Sequence, residues 1–445
     1  MRIPVDTRTA YDANVTTADS SSAASLARRI GRWDLVALVL NVIIGAGIFG
    51  LPSGVFALAG TYSLLAFLAC AVVVILIALC FAEVGSRFSG TGGPYLYARA
   101  AFGNLAAFQM GWLLWLARIT AFASLANLFV AYLSIFVPSA ATPVGRDVVL
   151  IAVTVVLVGV NLLGVRPSTL FTDAFTIGKL GPLLFFVVLG LFHLDRANFT
   201  TANVPHIGAF SQAVLLLVFA FSGFEMAVIP SGETVEPERN IPFALLTGIG
   251  FVIVLYLAIQ TVSIGTLPGL ATSTRPIADA SARFLGPTGR AVVVAGALVS
   301  ILGTLNSIAL VSPRLLFAMA EDGNLPRVFA KVHQRTRAPH VSIAVSGILM
   351  LAATLFSSFL AAAAISTIIR LLTYAATCGA LLRFRRSPTA PRAAFIAPFG
   401  VPAAILALAL CAWLLANSAA HEARMAALAV ALGLVLYGAI RARAT

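Results

Sequence analysis

The sequence predicts an all-α polytopic membrane protein with twelve transmembrane helices. Of its 445 residues, 60% are hydrophobic and only 10% are charged, whereas soluble domains contain about 25% charged residues. Apolar runs of about 20 residues recur along the chain, each long enough to cross a hydrocarbon core of roughly 30 Å as a helix. A soluble core could not bury this much apolar surface, so we expect a helix bundle in a lipid bilayer.

The expected spans follow from hydrophobic windows bounded by charges, proline and glycine. Residues 1–30 precede them and are polar and rich in Ser, Ala and Thr, so we expect a disordered cytoplasmic tail. Spans 1 to 12 are placed near 34–59, 62–84, 100–134, 147–165, 173–193, 210–231, 241–267, 289–319, 340–358, 361–382, 396–417 and 422–441.

The formal net charge of +13 does not by itself indicate a nucleic-acid partner. Such a partner would require the basic residues to cluster on one folded surface, but they lie in short segments between apolar runs. Most of the 29 Lys and Arg residues fall in segments on the side of the N-terminus, which is the positive-inside pattern. We expect a multi-pass inner-membrane protein with both termini cytoplasmic and no nucleic-acid partner.

Spans 1 and 6 contain residues that favour helix interruption. Span 1 reads NVIIGAGIFGLPSGVFALAG, and span 6 reads VFAFSGFEMAVIPSGE, in which Ser222 and Gly223 precede Pro230. Glycine lowers helix propensity and proline removes a backbone donor. For one span alone, close helix packing on glycines is an alternative explanation. The paired occurrence, five spans apart, favours two broken helices.

Interrupted helices at matching positions of two halves are typical of inverted-repeat transporters, which bind substrate at the breaks. We therefore expect spans 1–5, in residues 31–195, to form one repeat and spans 6–10, in residues 205–385, to form the second. Five spans is an odd number, so the second copy enters the membrane inverted. Residues 393–445 would hold spans 11 and 12 and a short cytoplasmic C-terminus.

The breaks predict where an α-amino acid would bind. A broken helix exposes N–H groups that suit a carboxylate and C=O groups that suit an ammonium. The expected N–H donors belong to Gly45, Ala46 and Gly47. The expected carbonyl acceptors belong to Ile43, Phe219, Ala220 and Ser222.

Four motifs resemble those of the amino acid-polyamine-organocation (APC) permeases. They are GAGIF in span 1, FAFSGFE in span 6, the following ETVEPERNIP, and RLLFAMAEDGNLP at the end of span 8. The resemblance covers about residues 30 to 390. It implies a LeuT-like fold of 5+5 inverted repeats with discontinuous helices 1 and 6, a central site between spans 1, 3, 6 and 8, and alternating access.

The resemblance also implies roles for individual residues. Gly45, Ala46 and Gly47 take the carboxylate-binding place, and Phe219 stands where many members have an aromatic gate. Span 8 is expected to contact substrate near Asn306 and Ile308. The amine-binding carbonyls are those of Ile43, Ile44, Phe219, Ala220 and Ser222, with Gly223 completing the second break.

Lys179 in span 5 is the candidate proton-coupling residue. Sodium-independent APC members resemble one another in carrying a lysine at the matching position. The resemblance implies that the ammonium of this lysine takes the place of a bound cation between spans 1 and 8. Lys occurs only here and at 331, and a desolvated Lys can release its proton whereas Arg effectively cannot. The alternative is that Lys179 snorkels or pairs with Asp173 on its own helix.

Glu225 and Arg118 are the other charged candidates within the predicted spans. Ionisable residues are costly inside a membrane, so each is expected to have a functional or pairing role. Glu225 follows the second break and is expected to assist gating, bind a cationic group or pair internally. Arg118 in span 3 would repel cationic side chains and attract a carboxylate if it faces substrate. Alternatively, Arg118 pairs with Glu225 and pocket shape sets selectivity. Arg370 in span 10 is assigned no role.

Together these observations predict a secondary transporter of neutral or possibly acidic amino acids, sodium-independent and either proton-coupled or an exchanger. An organic amine or polyamine carrier of the same fold is the alternative, although it would need more intramembrane acids. A membrane enzyme or receptor is not favoured, since the spans hold no nucleophile with a base and the loops are short. We expect no metal and no cofactor.

Overall fold

The structure is a computed structural model that describes residues 30–45, 47–88, 93–163, 169–200, 204–226, 228, 234–336 and 338–442, excepting the side chains of 169–177. Within these ranges the regular structure is helical, and the one β-bridge joins Ile30 to Thr234. The described α-helices are α1 Arg32–Ile43, α2 Gly47–Ala59, α3 Ser63–Gly85, α4 Pro94–Phe102, α5 Asn104–Leu133, α6 Pro143–Leu162, α7 Thr169–Gly190, α8 Ile207–Phe221, α9 Pro237–Thr266, α10 Pro276–Glu321, α11 His340–Leu355, α12 Phe359–Arg386, α13 Gly400–Ala416 and α14 Ala420–Ala442.

Helix length and composition match a membrane environment. Among the described residues, 8 helical stretches are long and apolar enough to cross a membrane, with α2 and α3 counted as one stretch. Three shorter apolar helices accompany them, at Gly178–His193, His340–Leu355 and Gly400–Ala416. The chain is a multi-pass, all-helical membrane protein, as the sequence predicts. The count of twelve spans and the two inverted repeats stay predictions.

The first span is broken where its glycines predict. Helix α1 ends at Ile43, and Ile44 leaves the helical region with φ −74° and ψ 67°. Helix α2 then begins at Gly47. Ala46 lies outside the described residues.

The sixth span is broken at its Ser-Gly pair. Helix α8 ends at Phe221, and Ser222 is extended with ψ 155°. Gly223 follows with φ +115°, and Phe224–Met226 form a single 3-10 turn. Only glycine adopts this positive φ readily. Pro230, expected at the same break, lies outside the described residues.

At two expected span starts, a glycine changes the chain direction. Span 3 was expected from residue 100, but Gly103 at φ +88° separates α4 from α5, which begins at Asn104. Span 8 was expected from residue 289, just after the kink that Gly286 makes in α10 with a φ of +66°, and the part of α10 from Pro276 to this kink was not predicted. Positive φ values of this kind interrupt a helix axis.

Helix α5 lies at the centre of the bundle. It is buried along most of its length and packs against α10 and α12. Around this core, α1 packs against α9, and α2 packs against α8. Helices α6 and α14 instead expose apolar side chains such as Val156 and Val435, which suits contact with lipid. The two broken segments touch the central helix, since the Tyr132 hydroxyl donates to the Phe49 carbonyl at 2.7 Å and Arg118 donates to Met226.

A buried carboxylate joins α3 to α12 and the segment after it. Glu83 is fully buried and accepts hydrogen bonds from Arg87 at 2.8 Å and from Arg385 Nε at 2.9 Å. The backbone N–H of Ala397 donates to its other oxygen at 3.0 Å. Because these donors come from three segments, the carboxylate connects one end of α3 to α12 and to the start of α13.

We expect Glu83→Gln to destabilise the protein by about 3–5 kcal/mol, because it leaves two guanidinium groups without their buried partner. The free energy of unfolding in mixed detergent micelles measures this loss. Asp147→Asn is the matched control, since Asp147 pairs with Arg146 at 2.7 Å but is half exposed, and such pairs contribute about 1 kcal/mol or less. Equal stability of the two variants would contradict this account.

We expect Gly223→Ala to destabilise the second break by about 1–3 kcal/mol. An added Cβ would lie 2.7 Å from Val42 Cγ1 and 2.9 Å from its carbonyl oxygen, at a φ that Ala disfavours. Gly250→Ala in α9 is the control, because nothing lies within 4 Å of its added Cβ and Ala favours the helix by about 1 kcal/mol. Thermal unfolding in detergent should order the variants Gly250→Ala, parent, Gly223→Ala, from most to least stable.

Candidate functional site

A central cavity of about 140 Å³ lies where the two broken segments meet. Side chains from α5, α7, α10 and α12 complete its wall. The predicted site residues that line it are Ile43, Gly45, Gly47, Arg118, Lys179, Phe219, Ala220, Ser222, Gly223 and Ile308. Ile44, Glu225 and Asn306 are not among the lining residues, and Ala46 lies outside the described part of the chain. The structure thus brings together residues from both breaks.

Helix α10 presents a regular face to the cavity. Its lining residues are Thr304, Ser307, Ile308 and Val311, which follow the i, i+3, i+4, i+7 spacing of one helical face. Asn306, expected to contact substrate, lies off this face because each residue rotates the helix by about 100°. Placing Ile308 on that spacing also identifies Thr304, Ser307 and Val311, which were not predicted from the sequence.

Arg118 reaches the cavity from α5 together with Ala121 and Leu125. Its side chain is 8% exposed, and one terminal nitrogen donates to Met226 Sδ at 3.0 Å. A thioether is a weak acceptor. Among the described residues, Arg118 forms no ion pair with an acid. The guanidinium is therefore buried at the cavity wall with little compensation for its charge.

Glu225 is paired with Arg370 and not with Arg118. It is 2% exposed and forms an ion pair with the Arg370 guanidinium. Tyr374 donates its hydroxyl proton to the other oxygen at 2.9 Å, and the N–H of Gly223 donates to that oxygen at 2.8 Å. Three donors thus hold the carboxylate inside the protein. Of the expected roles for Glu225, the internal pair is the one present, and the suggested Arg118 pair is wrong.

Arg370, which had no role in the sequence analysis, lines the cavity. Its position in the middle of an apolar run, one helical turn before Tyr374, was the available signal. Burying a charge in such a run requires a partner on another segment. Glu225 is that partner, and together they join α12 to the second break.

Tyr256 of α9 connects the two breaks. Its hydroxyl lies 3.0 Å from the carbonyl oxygen of Ile43 and 3.2 Å from that of Ala220, and one hydroxyl proton can be donated to either oxygen. These are two of the carbonyls expected to receive a substrate amine. Tyr256 was not among the predicted site residues, although a polar hydroxyl in the middle of span 7 was a signal for it.

Other backbone groups at the breaks are also bonded within the protein. The N–H of Gly45, an expected carboxylate donor, donates to the Ile43 carbonyl at 2.6 Å. The Phe219 carbonyl accepts from the Ser222 hydroxyl at 2.8 Å and from its N–H at 3.2 Å. A carbonyl oxygen has two lone pairs, so those of Ile43 and Phe219 already have two donors within reach.

Lys179 links α7 to α1. Its ammonium donates to the side-chain oxygen of Asn41 at 2.6 Å and to the Asn41 carbonyl at 3.1 Å. The side chain is 4% exposed and lines the cavity. The suggested alternative partner, Asp173, has its side chain outside the described residues. The contact with span 1 is present, and the described residues form no hydrogen bond from Lys179 to span 8.

The cavity wall carries an excess of positive charge. Arg118, Lys179 and Arg370 line it, and no Asp or Glu of the described chain does. The nearby Glu225 carboxylate offsets the charge of Arg370. Charges act over longer distances in a low-dielectric interior than in water, so the cavity favours anionic groups.

Comparison with known proteins places the chain among transporters. It is 28% identical over 437 residues to the serine/threonine exchanger SteT of Bacillus subtilis (strain 168), covering 94% of this chain and 98% of that protein. It is 26% identical to the methylthioribose transporter of the same organism, over 88% of this chain and 89% of that protein. It is 30% identical to cationic amino acid transporter 4 of Mus musculus, over 84% of this chain and 63% of that protein. Residues 30–436 match the family described as amino acid permease, and the chain therefore belongs to the amino acid permease family.

Proposed function

We propose that this permease transports amino acids by alternating access, independently of sodium and with coupling to protons or to exchange. The proposed architecture has twelve spans, the first ten forming two inverted repeats. The observation that carries the proposal is the meeting of two broken segments at one cavity, because this arrangement is typical of inverted-repeat transporters.

The breaks support recognition of the backbone groups of an amino acid. Gly47 begins α2 at the cavity wall, and a helix N-terminus favours a carboxylate. Gly47 also lets the two broken segments approach each other, because a Cβ added there would lie 3.1 Å from the Ala220 Cα. On the opposite segment, the Ala220 carbonyl is within reach of Tyr256 and retains a second lone pair for a substrate ammonium.

Lys179 supports independence from sodium. Its ammonium occupies the wall beside α1 and is held by two oxygens of Asn41. A fixed cation there disfavours binding of a second cation. Release of its proton would remove the charge that holds Asn41, and α1 would then separate more readily from α7.

The relatives support this function at the level of class. One exchanges serine and threonine, and another carries cationic amino acids. The cavity of this chain, with three cationic side chains in its wall, repels polyamines, which argues against the amine-carrier alternative. Placement in the inner membrane, with both termini cytoplasmic, is proposed from the distribution of Lys and Arg along the sequence.

We expect purified protein in proteoliposomes to take up labelled amino acids faster under an inward proton gradient, and Lys179→Ala to abolish that stimulation. The physical reason is that the variant lacks the group proposed to exchange its proton during transport. Lys331→Ala is the matched control, because residue 331 is the other lysine of the chain and follows a short turn away from the cavity. Initial uptake rates with and without the gradient measure the effect.

Three results would contradict the coupling proposal. They are sodium dependence, stimulation by the gradient that survives in Lys179→Ala, and an equal loss of stimulation in Lys331→Ala. If the gradient does not change uptake by the parent, counterflow is measured with unlabelled amino acid inside the vesicles. Counterflow would show that the protein exchanges amino acids, and its absence would show that it does not. Absence of both activities would overturn the proposed function.

A further inference from the structure

We propose that the permease selects amino acids with an acidic side chain, and that Arg118 binds the side-chain carboxylate. This inference rests on the proposed function, since it assumes that an amino acid occupies the central cavity. It goes beyond that function by assigning the substrate class and the residue that determines it.

The Arg118 guanidinium is incompletely paired. Its guanidinium has five N–H donors but one hydrogen bond among the described residues, to the sulfur of Met226 at 3.0 Å. A charged group at membrane depth normally pairs with an acid or lines a functional site. Arg118 lines the cavity, so the missing acceptor belongs to the molecule that enters it. A carboxylate matches the planar guanidinium with two parallel hydrogen bonds.

The Glu225 carboxylate is not available to Arg118. Glu225 is held by Arg370, by the Tyr374 hydroxyl and by the Gly223 N–H. Arg370 itself lines the cavity, but its guanidinium is already paired with Glu225. Arg118 is therefore the cavity guanidinium that has no carboxylate partner among the described residues. An anionic side chain can supply that partner.

The position of Arg118 relative to the two breaks determines which part of a bound amino acid it can reach. The proposed backbone site lies at Gly47 and Ala220, where a Cβ added to Gly47 would lie 3.1 Å from the Ala220 Cα. Arg118 instead contacts Met226, beyond the Ser222 and Gly223 break along the same segment. An amino acid held by its backbone groups at the first place would direct its side chain towards the second.

The balance of charges around the cavity also favours a substrate with an acidic side chain. Glu225 offsets Arg370, while Arg118 and Lys179 have no acidic partner among the described residues. An amino acid with an acidic side chain brings a net charge of about −1 at neutral pH. A neutral amino acid leaves the Arg118 charge uncompensated, and a basic one adds to the repulsion.

The test compares acids with their amides in proteoliposome counterflow. Labelled L-glutamate and L-aspartate are measured beside L-glutamine, L-asparagine and L-arginine in the parent, Arg118→Gln, Arg118→Lys and Arg239→Gln. Arg239 is the matched control, because it lies at the start of α9, its side chain is 80% exposed and it pairs with Glu236. We expect the parent to prefer an acid over its amide at least about tenfold, as one charge-assisted interaction provides.

Arg118→Gln should lose that preference while it still transports the amide, Arg118→Lys should retain part of it, and Arg239→Gln should behave as the parent. Ligand-induced thermal stabilisation in detergent checks binding independently of transport. Transport of neutral amino acids without preference for acids, or an acid preference that survives in Arg118→Gln, would overturn this inference and leave the proposed function standing. If no amino acid is transported or stabilises the protein, the proposed function fails as well.

Discussion

The constraint on which this structure depends is the need to satisfy backbone polar groups away from water. A continuous helix meets it internally, but two broken segments do not. Tyr256 reaches the carbonyls of Ile43 and Ala220, and Ser222 bonds back to Phe219. These bonds allow the breaks to exist in the bundle interior, and the cavity lies between them.

Buried charge is distributed according to the same requirement. Glu225 is surrounded by donors from α12 and from its own break, so it stabilises the second broken segment. Lys179 is held by Asn41 of α1, beside the first. Arg118 alone of these groups depends on a sulfur atom. The difference separates charges that support the fold from the one best placed to bind a ligand.

Much of the fold was predictable because its signals are local. Long apolar runs predicted the helical membrane class, and the glycines near Gly45 and the Ser222 and Gly223 pair predicted the two breaks, which the structure contains. The start of span 3 was placed too early because Gly103, with a positive φ, turns the chain beside an apolar run, and hydrophobicity does not report backbone angle. The expected start of span 8 lies just after the kink at Gly286, but the part of α10 before the kink was not predicted.

The sequence by itself determined the membrane class and the positions of the breaks, because periodicity and helix propensity depend on neighbours along the chain. The predicted residues that line the cavity came from these breaks, from charged residues within spans and from the resemblance to the APC permeases. Only the tertiary structure decided which charges pair. Glu225 meets Arg370, 145 residues away, and Tyr256 joins two breaks from a third segment. The same packing excludes Asn306 from the cavity and admits Thr304. Such contacts depend on how helices pack and rotate against one another, and no local pattern specifies that.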